Sequence, residues 1–215
     1  MKTLLKSACL LRAMTTVACT GALPVSAANR TSEGSTLYAA DFAKDEKAWT
    51  VVSGTFKAEN GVYRSRSLGP DMPLSRAIAG NMTWKNYSVE TRLKLAEWAP
   101  PVGADFGIIA RYQDPGNYYI FLYKRDSKTM VIERKREGKL LVLKEAPFDL
   151  QPGKWHHFQA NLAGRDLSVA IDGKKLVQIS DDNFSQGGAG LLAFWADIHC
   201  DRFIVKKSGP HPDGP

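Results

Sequence analysis

The 215-residue chain is predicted to be all-β, a two-sheet antiparallel β-sandwich of jelly-roll type. Three observations predict it. From Phe106 to Leu176 the turn residues of successive hairpins are spelled out: Asp114-Pro115-Gly116-Asn117, Glu137-Gly138, Gly164-Arg165 and Asp172-Gly173. Segment 87–95 alternates, with Tyr87, Val89, Thr91, Leu93 and Leu95 on one face and Ser88, Glu90, Arg92 and Lys94 on the other. Strand signals recur at short intervals along the rest of the chain, and no stretch has a convincing helical period. About a dozen short strands must stack as two sheets, or close into a barrel, to hide one face of each.

In order, Leu37–Phe42 opens the domain. Thr50–Ser53, Thr55–Ala58 and Val62–Ser65 follow, the last two joined by Asn60-Gly61, a strong hairpin signal. Leu74–Ala79 precedes the alternating strand. Strands are then expected at Asp105–Tyr112, Asn117–Lys124, Thr129–Arg136, Leu140–Glu145, Trp155–Ala163, Leu167–Ile171 and Leu176–Ser180. Ala189–Trp195 and Asp201–Lys207 close the domain. No period of about 20–50 residues repeats, so residues 37–207 are read as one sandwich domain. Residues 28–36 form a polar leader, and 208–215, rich in Pro and Gly, a disordered tail.

Residues 1–27 read as an export signal. Lys2, Lys6 and Arg12 precede the apolar segment AMTTVACTGAL, and Pro24-Val25-Ser26-Ala27 supplies small residues for cleavage after Ala27 or Ala28. A lipoprotein reading on Cys19 is weaker, because Thr16 stands where such sites want a larger aliphatic. The apolar run falls short of the ~20 residues of a membrane span. Removing the signal takes three of the 29 basic residues and none of the 22 acidic ones, so the formal charge drops from +7 to +4. That mild excess, with no helix or stripe to concentrate it, does not indicate a nucleic-acid partner. Of Cys9, Cys19 and Cys200 only Cys200 survives processing, which excludes an internal disulfide and marks Cys200 as a small core residue.

Several motifs fall in a familiar order: Asp41-Phe42 and then Trp49; Gly54-Thr55-Phe56 and Asn60-Gly61-Val62-Tyr63; Phe106 to Tyr112; Asn117-Tyr118-Tyr119; Gly153-Lys154-Trp155-His156; Ile171-Asp172-Gly173-Lys174; Gly188-Ala189-Gly190-Leu191; and Asp201 to Val205. In this order the chain resembles secreted laminin-G-like domains of the concanavalin A-like lectin/glucanase jelly roll, over roughly 37–205. The resemblance implies the sandwich but no single function, since this superfold hosts lectins, carbohydrate-binding modules, hydrolases, lyases and adhesion domains. Its β-glucan hydrolases carry a Glu-x-Asp-x-Glu run that is missing here, and the keto-disaccharide hydrolase relatives carry a Glu and a Gln where this chain has Tyr119, Phe121 and Tyr123. No catalytic residue is assigned. Many relatives bind a calcium ion between the first and last strands, and the resemblance places Asp41 and Asp201 there.

The residues themselves suggest a sugar ligand. Flat rings suit the C–H face of a pyranose and charged forks suit its hydroxyls; Arg111, Tyr119, Glu90 and Arg92 supply that set on the concave sheet. The alternative for Arg111 and Tyr119 is a structural role, because an arginine in so apolar a strand needs a partner. Trp98 and Trp195, in or beside loops, are candidates by position, against a simpler role folded over the sandwich end. Trp49 and Trp155 are read as core. Lys124, Arg125, Lys128, Arg134, Lys135, Arg136 and Lys139 gather on two neighbouring turns, either as a solvated edge or as a seat for an acidic glycan. His156 and His157 point to opposite faces and cannot share a metal. The expected function is non-catalytic glycan binding by an exported domain. The alternatives are a glycoside hydrolase or polysaccharide lyase, and a protein–protein adhesion module.

Overall fold

The structure, a computed structural model, describes residues 35–43, 48–71, 74–98 and 103–209. The export signal, the leader up to residue 34 and the tail beyond 209 lie outside the described residues. The strands are β1 (Thr36–Ala40), β2 (Trp49–Ser53), β3 (Lys57–Glu59), β4 (Val62–Arg66), β5 (Leu74–Ala79), β6 (Tyr87–Trp98), β7 (Asp105–Asp114) and β8 (Asn117–Lys124). They continue as β9 (Thr129–Arg136), β10 (Lys139–Pro147), β11 (His156–Ala163), β12 (Asp166–Ile171), β13 (Lys174–Ser180), β14 (Gly188–Phe194) and β15 (Ala196–Lys207). They form two antiparallel sheets. One runs β13-β12-β11-β6-β15-β4-β3, with β1 also on β15; the other runs β10-β9-β8-β7-β14-β5-β2. We call them the β6 and β8 sheets.

The pleat dictates which residues meet between the sheets. Tyr87, Val89, Leu93 and Leu95 of β6 face Phe106, Ile108, Phe121 and Tyr123 of the β8 sheet in one continuous core. Each such side chain contributes about 1.5–3 kcal/mol by leaving water. Cys200 is buried among them, and that burial pushes its thiol pKa up to about 12. The predicted hairpin turns have their expected backbone: both residues of Asn60-Gly61, Glu137-Gly138 and Asp172-Gly173 have positive φ, which matches the twist of the strands they join.

The last strand is longer than expected. It starts at Ala196 rather than Asp201, because the left-handed backbone of Trp195 (φ 48°) only turns the chain from one sheet to the other. The β8 sheet also buries its outward face. Ile78, Ile109, Tyr112, Tyr118, Ile120, Leu122 and Leu192 form a second cluster there. Arg76 reaches over it to donate to Ser53 Oγ, the Pro115 carbonyl and the Tyr118 hydroxyl.

In that face Gly190 pairs with Ile78 on one side and Ile109 on the other, and a Cβ at Gly190 would overlap the Ala77 carbonyl. Gly190→Ala is therefore expected to lower stability by about 1–3 kcal/mol, the usual range for overpacking, read as a lower urea midpoint with an unchanged slope.

Candidate functional site

The predicted ligand residues come to rest in three separate places, so they do not form one set. Arg111 and Tyr119 lie at one end of the sandwich, 1% and 0% exposed. A bulge with left-handed backbone at Arg111 (φ 47°) breaks the alternation of β7. The guanidinium then donates to the carbonyls of Phe184 (2.7 Å), Gly164 (2.7 Å) and Lys85 (3.2 Å), while the Arg111 amide donates to the Tyr87 hydroxyl. Burial lowers the arginine's pKa and raises that of Tyr87. Tyr119 donates to the Asp181 carboxylate and accepts from the Phe184 amide, and Arg134 pairs with the same Asp181. The partner an apolar strand demands for its arginine is thus a trio of loop carbonyls.

Trp98 and Trp195 lie at the opposite end, where Trp98 pairs with Ala196 across β6 and β15. The Arg125 guanidinium lies 4.0 Å from the centre of the Trp98 ring, and Trp195 stands edge-on to Phe194. Beside them, on the outward face of the β8 sheet, Asp105 pairs in register with both Phe194 and Lys124. Lys124 is engaged by Glu133 at 2.6 Å, and no cation among the described residues comes within ion-pair distance of Asp105. Desolvation raises its pKa to about 6, with Lys124 opposing and Glu133 and Asp126 adding to the shift.

Glu90 and Arg92 occupy the outward face of the β6 sheet. Glu90 pairs with Lys206 at 3.0 Å. Arg92 belongs to a cleft of about 590 Å3 that also contains Tyr38, Asp41, Asp201 and Arg202. The cleft follows from the pairing. The first half of β15, to Cys200, pairs with β4; from Phe203 onward the same edge pairs with β1. Between them a bulge at 200–202 leaves the edge uncovered and turns Asp201 and Arg202 toward it. The bulge is held from within, where Thr91 Oγ1 donates to the Arg202 carbonyl at 2.8 Å and touches Cys200 Sγ.

Arg92 Nη2 sits 3.1 Å from Asp201 Oδ2, whereas Asp201 Oδ1 is buried and accepts no hydrogen bond from the described residues. Asp41 Oδ1 accepts the Ala43 amide. Asp41 and Asp201 do share the cleft. Arg92 is paired with Asp201, and no group of three metal-ligating residues occurs among the described residues. Trp155 is not core. It lies half-buried on the outward face beneath Arg92 (5.3 Å) and Lys94 (4.9 Å). Sequence reasoning missed Tyr38, Arg202 and Trp155; the Arg92–Arg202 cross-strand pairing that groups them is set by a bulge.

Two outcomes follow. Thr91→Val leaves the Arg202 carbonyl unsatisfied and is expected to lower stability by about 1–3 kcal/mol, measured by urea unfolding. For Asp105 the folded pKa of about 6 lies above the ordinary 3.8. Its contribution to stability is therefore complete only below the lower value and is lost as pH rises through the upper one. Asp105→Asn, which cannot ionise, is expected to melt above the natural chain at about pH 8 and level with it at about pH 4.

No protein-family model and no curated protein sequence matches the chain. Solved structures match its architecture. The carbohydrate-binding module CBM66 from Bacillus subtilis aligns with a TM-score of 0.66 at 19% identity, covering 74% of this chain and 96% of that one. A Bacillus licheniformis β-glucanase gives 0.62 at 12%, covering 81% and 99%. The carbohydrate recognition domain of Emp47p gives 0.60 at 14%, covering 85% and 100%. These likenesses, together with the two antiparallel sheets and their strand order, establish that the chain has the concanavalin A-like lectin/glucanase jelly-roll fold.

Proposed function

We propose that the chain is an exported, non-catalytic carbohydrate-binding domain whose sugar sits in the cleft beside β15. The observation that carries this is the Arg92–Asp201 pair, set at 3.1 Å in a 590 Å3 cleft that Tyr38, Asp41 and Arg202 also line. A guanidinium and the carboxylate oxygen it holds, in fixed relation, donate to and accept from neighbouring hydroxyls, and Tyr38 lines the same cleft. Pocket volumes of about 300–1,000 Å3 suit small ligands. A carbohydrate-binding module and a carbohydrate recognition domain among the fold neighbours support the reading. Export is supported by the signal-like first 27 residues; no helix among the described residues is long and apolar enough to cross a membrane.

A second reading has one observation in its favour. Asp105, with its raised pKa, and Glu133 stand on either side of Lys124 in the β8 sheet, a pair of carboxylates in unlike environments. A glycoside hydrolase needs such a pair, and a β-glucanase is among the fold neighbours. Against it, Glu133 is already neutralised at 2.6 Å by Lys124.

A glycan array on the purified chain, followed by calorimetry on the best ligand, separates these readings. Saturable binding without reducing-sugar or unsaturated-product release is expected. Arg92→Ala is expected to weaken it about tenfold or more, equivalent to ~1.4 kcal/mol, with the melting temperature little changed because the Arg92–Asp201 pair is partly exposed. Product release abolished by Asp105→Asn would establish the hydrolase instead, and binding only to another exported protein would establish adhesion. Binding that survives a chelator would exclude a calcium requirement.

A further inference from the structure

The basic residues of the β8–β9–β10 hairpins, the obvious seat for an acidic ligand in the sequence, are largely neutralised by the fold. Lys124 pairs with Glu133, Lys128 with Asp149 and Arg134 with Asp181; Arg125 lies on Trp98 and against Asp126; and Arg136 donates to Asn183. The outward face of the β6 sheet is different. There Lys57 pairs in register with Arg64, Arg64 with His199, and His199 with Lys94. Lys94 ends the row on the Trp155 ring. One row along β6, Arg92 stands directly opposite Arg202 at the cleft. Like charges facing each other across strands destabilise a sheet, and here they do so twice, at Lys57–Arg64 and at Arg92–Arg202.

The carboxylates of this face offset only part of that charge. Asp197, buried below the row, takes Arg64 and lies 3.9 Å from Arg66, Glu97 takes Arg66, and Asp201 takes Arg92. Among the described residues no carboxylate comes within ion-pair distance of Lys57, Lys94 or Arg202. The buried His199 Nε2 makes no hydrogen bond, although Asp197 Oδ1 lies 3.5 Å away; desolvation lowers its pKa, with Asp197 and Glu59 opposing and Lys94 and Arg64 adding to the shift. From β3 to β6 the row crosses four strands, about 15 Å at the usual strand spacing, and Trp155 extends it further. That is a track for a chain of sugars.

We infer that the ligand of the cleft is an acidic polysaccharide, which seats one sugar between Arg92 and Arg202 and lays its carboxylates or sulfates along Lys94, Arg64 and Lys57. This rests on the reading of the cleft as a sugar site and adds the ligand's charge and direction. Anions placed between the facing cations relieve their repulsion, so binding is stabilised by contacts that the free protein holds at a cost.

The test compares oligogalacturonate with its carboxyl-reduced, neutral counterpart by calorimetry on the natural chain, on Lys57→Glu/Lys94→Glu, and on the control Lys174→Glu/Lys175→Glu at the far edge of the same sheet. The acidic oligomer is expected to bind at least about tenfold more tightly than the neutral one, with an affinity that falls as salt rises. The Lys57/Lys94 variant is expected to lose that advantage while keeping the neutral ligand's affinity, and the control to change neither. Equal binding of the two oligomers overturns the inference and leaves the sugar reading standing. Loss of both to Arg92→Ala only, with no effect at Lys57 and Lys94, overturns the track. An equal loss in the control, or duplex DNA binding as tightly as oligogalacturonate, reduces the effect to bulk charge and overturns it too. Failure of both oligomers and of every other glycan defeats the sugar reading and the inference together.

Discussion

The end of the sandwich away from Trp98 is organised around one buried cation. Arg111 has no carboxylate partner among the described residues; its charge is solvated by three backbone carbonyls taken from three different connections, those before β6, after β11 and after β13. Removing a guanidinium from water costs several kcal/mol unless its protons find acceptors. The three connections must therefore converge for the chain to fold at all. Their convergence fixes the start of β6 through Tyr87, whose hydroxyl accepts the Arg111 amide and donates to the carbonyls of Gly187 and Gly188. It also fixes the 181–187 connection, which Tyr119 and Arg134 grip through Asp181. With the start of β6 set, its alternation decides which of its residues face the core.

The cleft comes from a different constraint on the same sheet. Two strands share one edge of β15, and they cannot meet without a gap because β15 bulges between them. A bulge leaves a backbone carbonyl unpaired, and Thr91, a polar residue in an otherwise apolar row of β6, supplies the missing donor. Structure and site are joined at this point. The residue that stabilises the bulge from inside is opposite the residues, Asp201 and Arg202, that the bulge turns outward.

The strands were largely legible in the chain because their signals are local. Hairpin turns need residues that tolerate positive φ, and half-buried strands need alternation, so Asn60-Gly61, Asp172-Gly173 and the 87–95 pattern each announce themselves. The second apolar cluster was less plain, although Tyr118 to Tyr123 is an unbroken apolar run, the mark of a strand buried on both faces. The site was the least legible part. Arg111 and Arg92 look alike in sequence, each an arginine within a strand, yet one is sealed among carbonyls and the other lies over Trp155 at an open cleft. Trp155, set beside strand residues, read as core and proved to be outward-facing.

What the sequence by itself determined is the class of fold, the hairpin connections and the buried face of each alternating strand. All of these depend on residues near one another in the chain. The tertiary structure alone decided where the charges act. Cross-strand registers bring Lys57, Arg64, His199 and Lys94 into one row, and bulges at Arg111 and at 200–202 reverse the facing that simple alternation gives. A one-residue shift in pairing moves every side chain to the other face, and that shift is set by distant partners rather than by the strand's own residues.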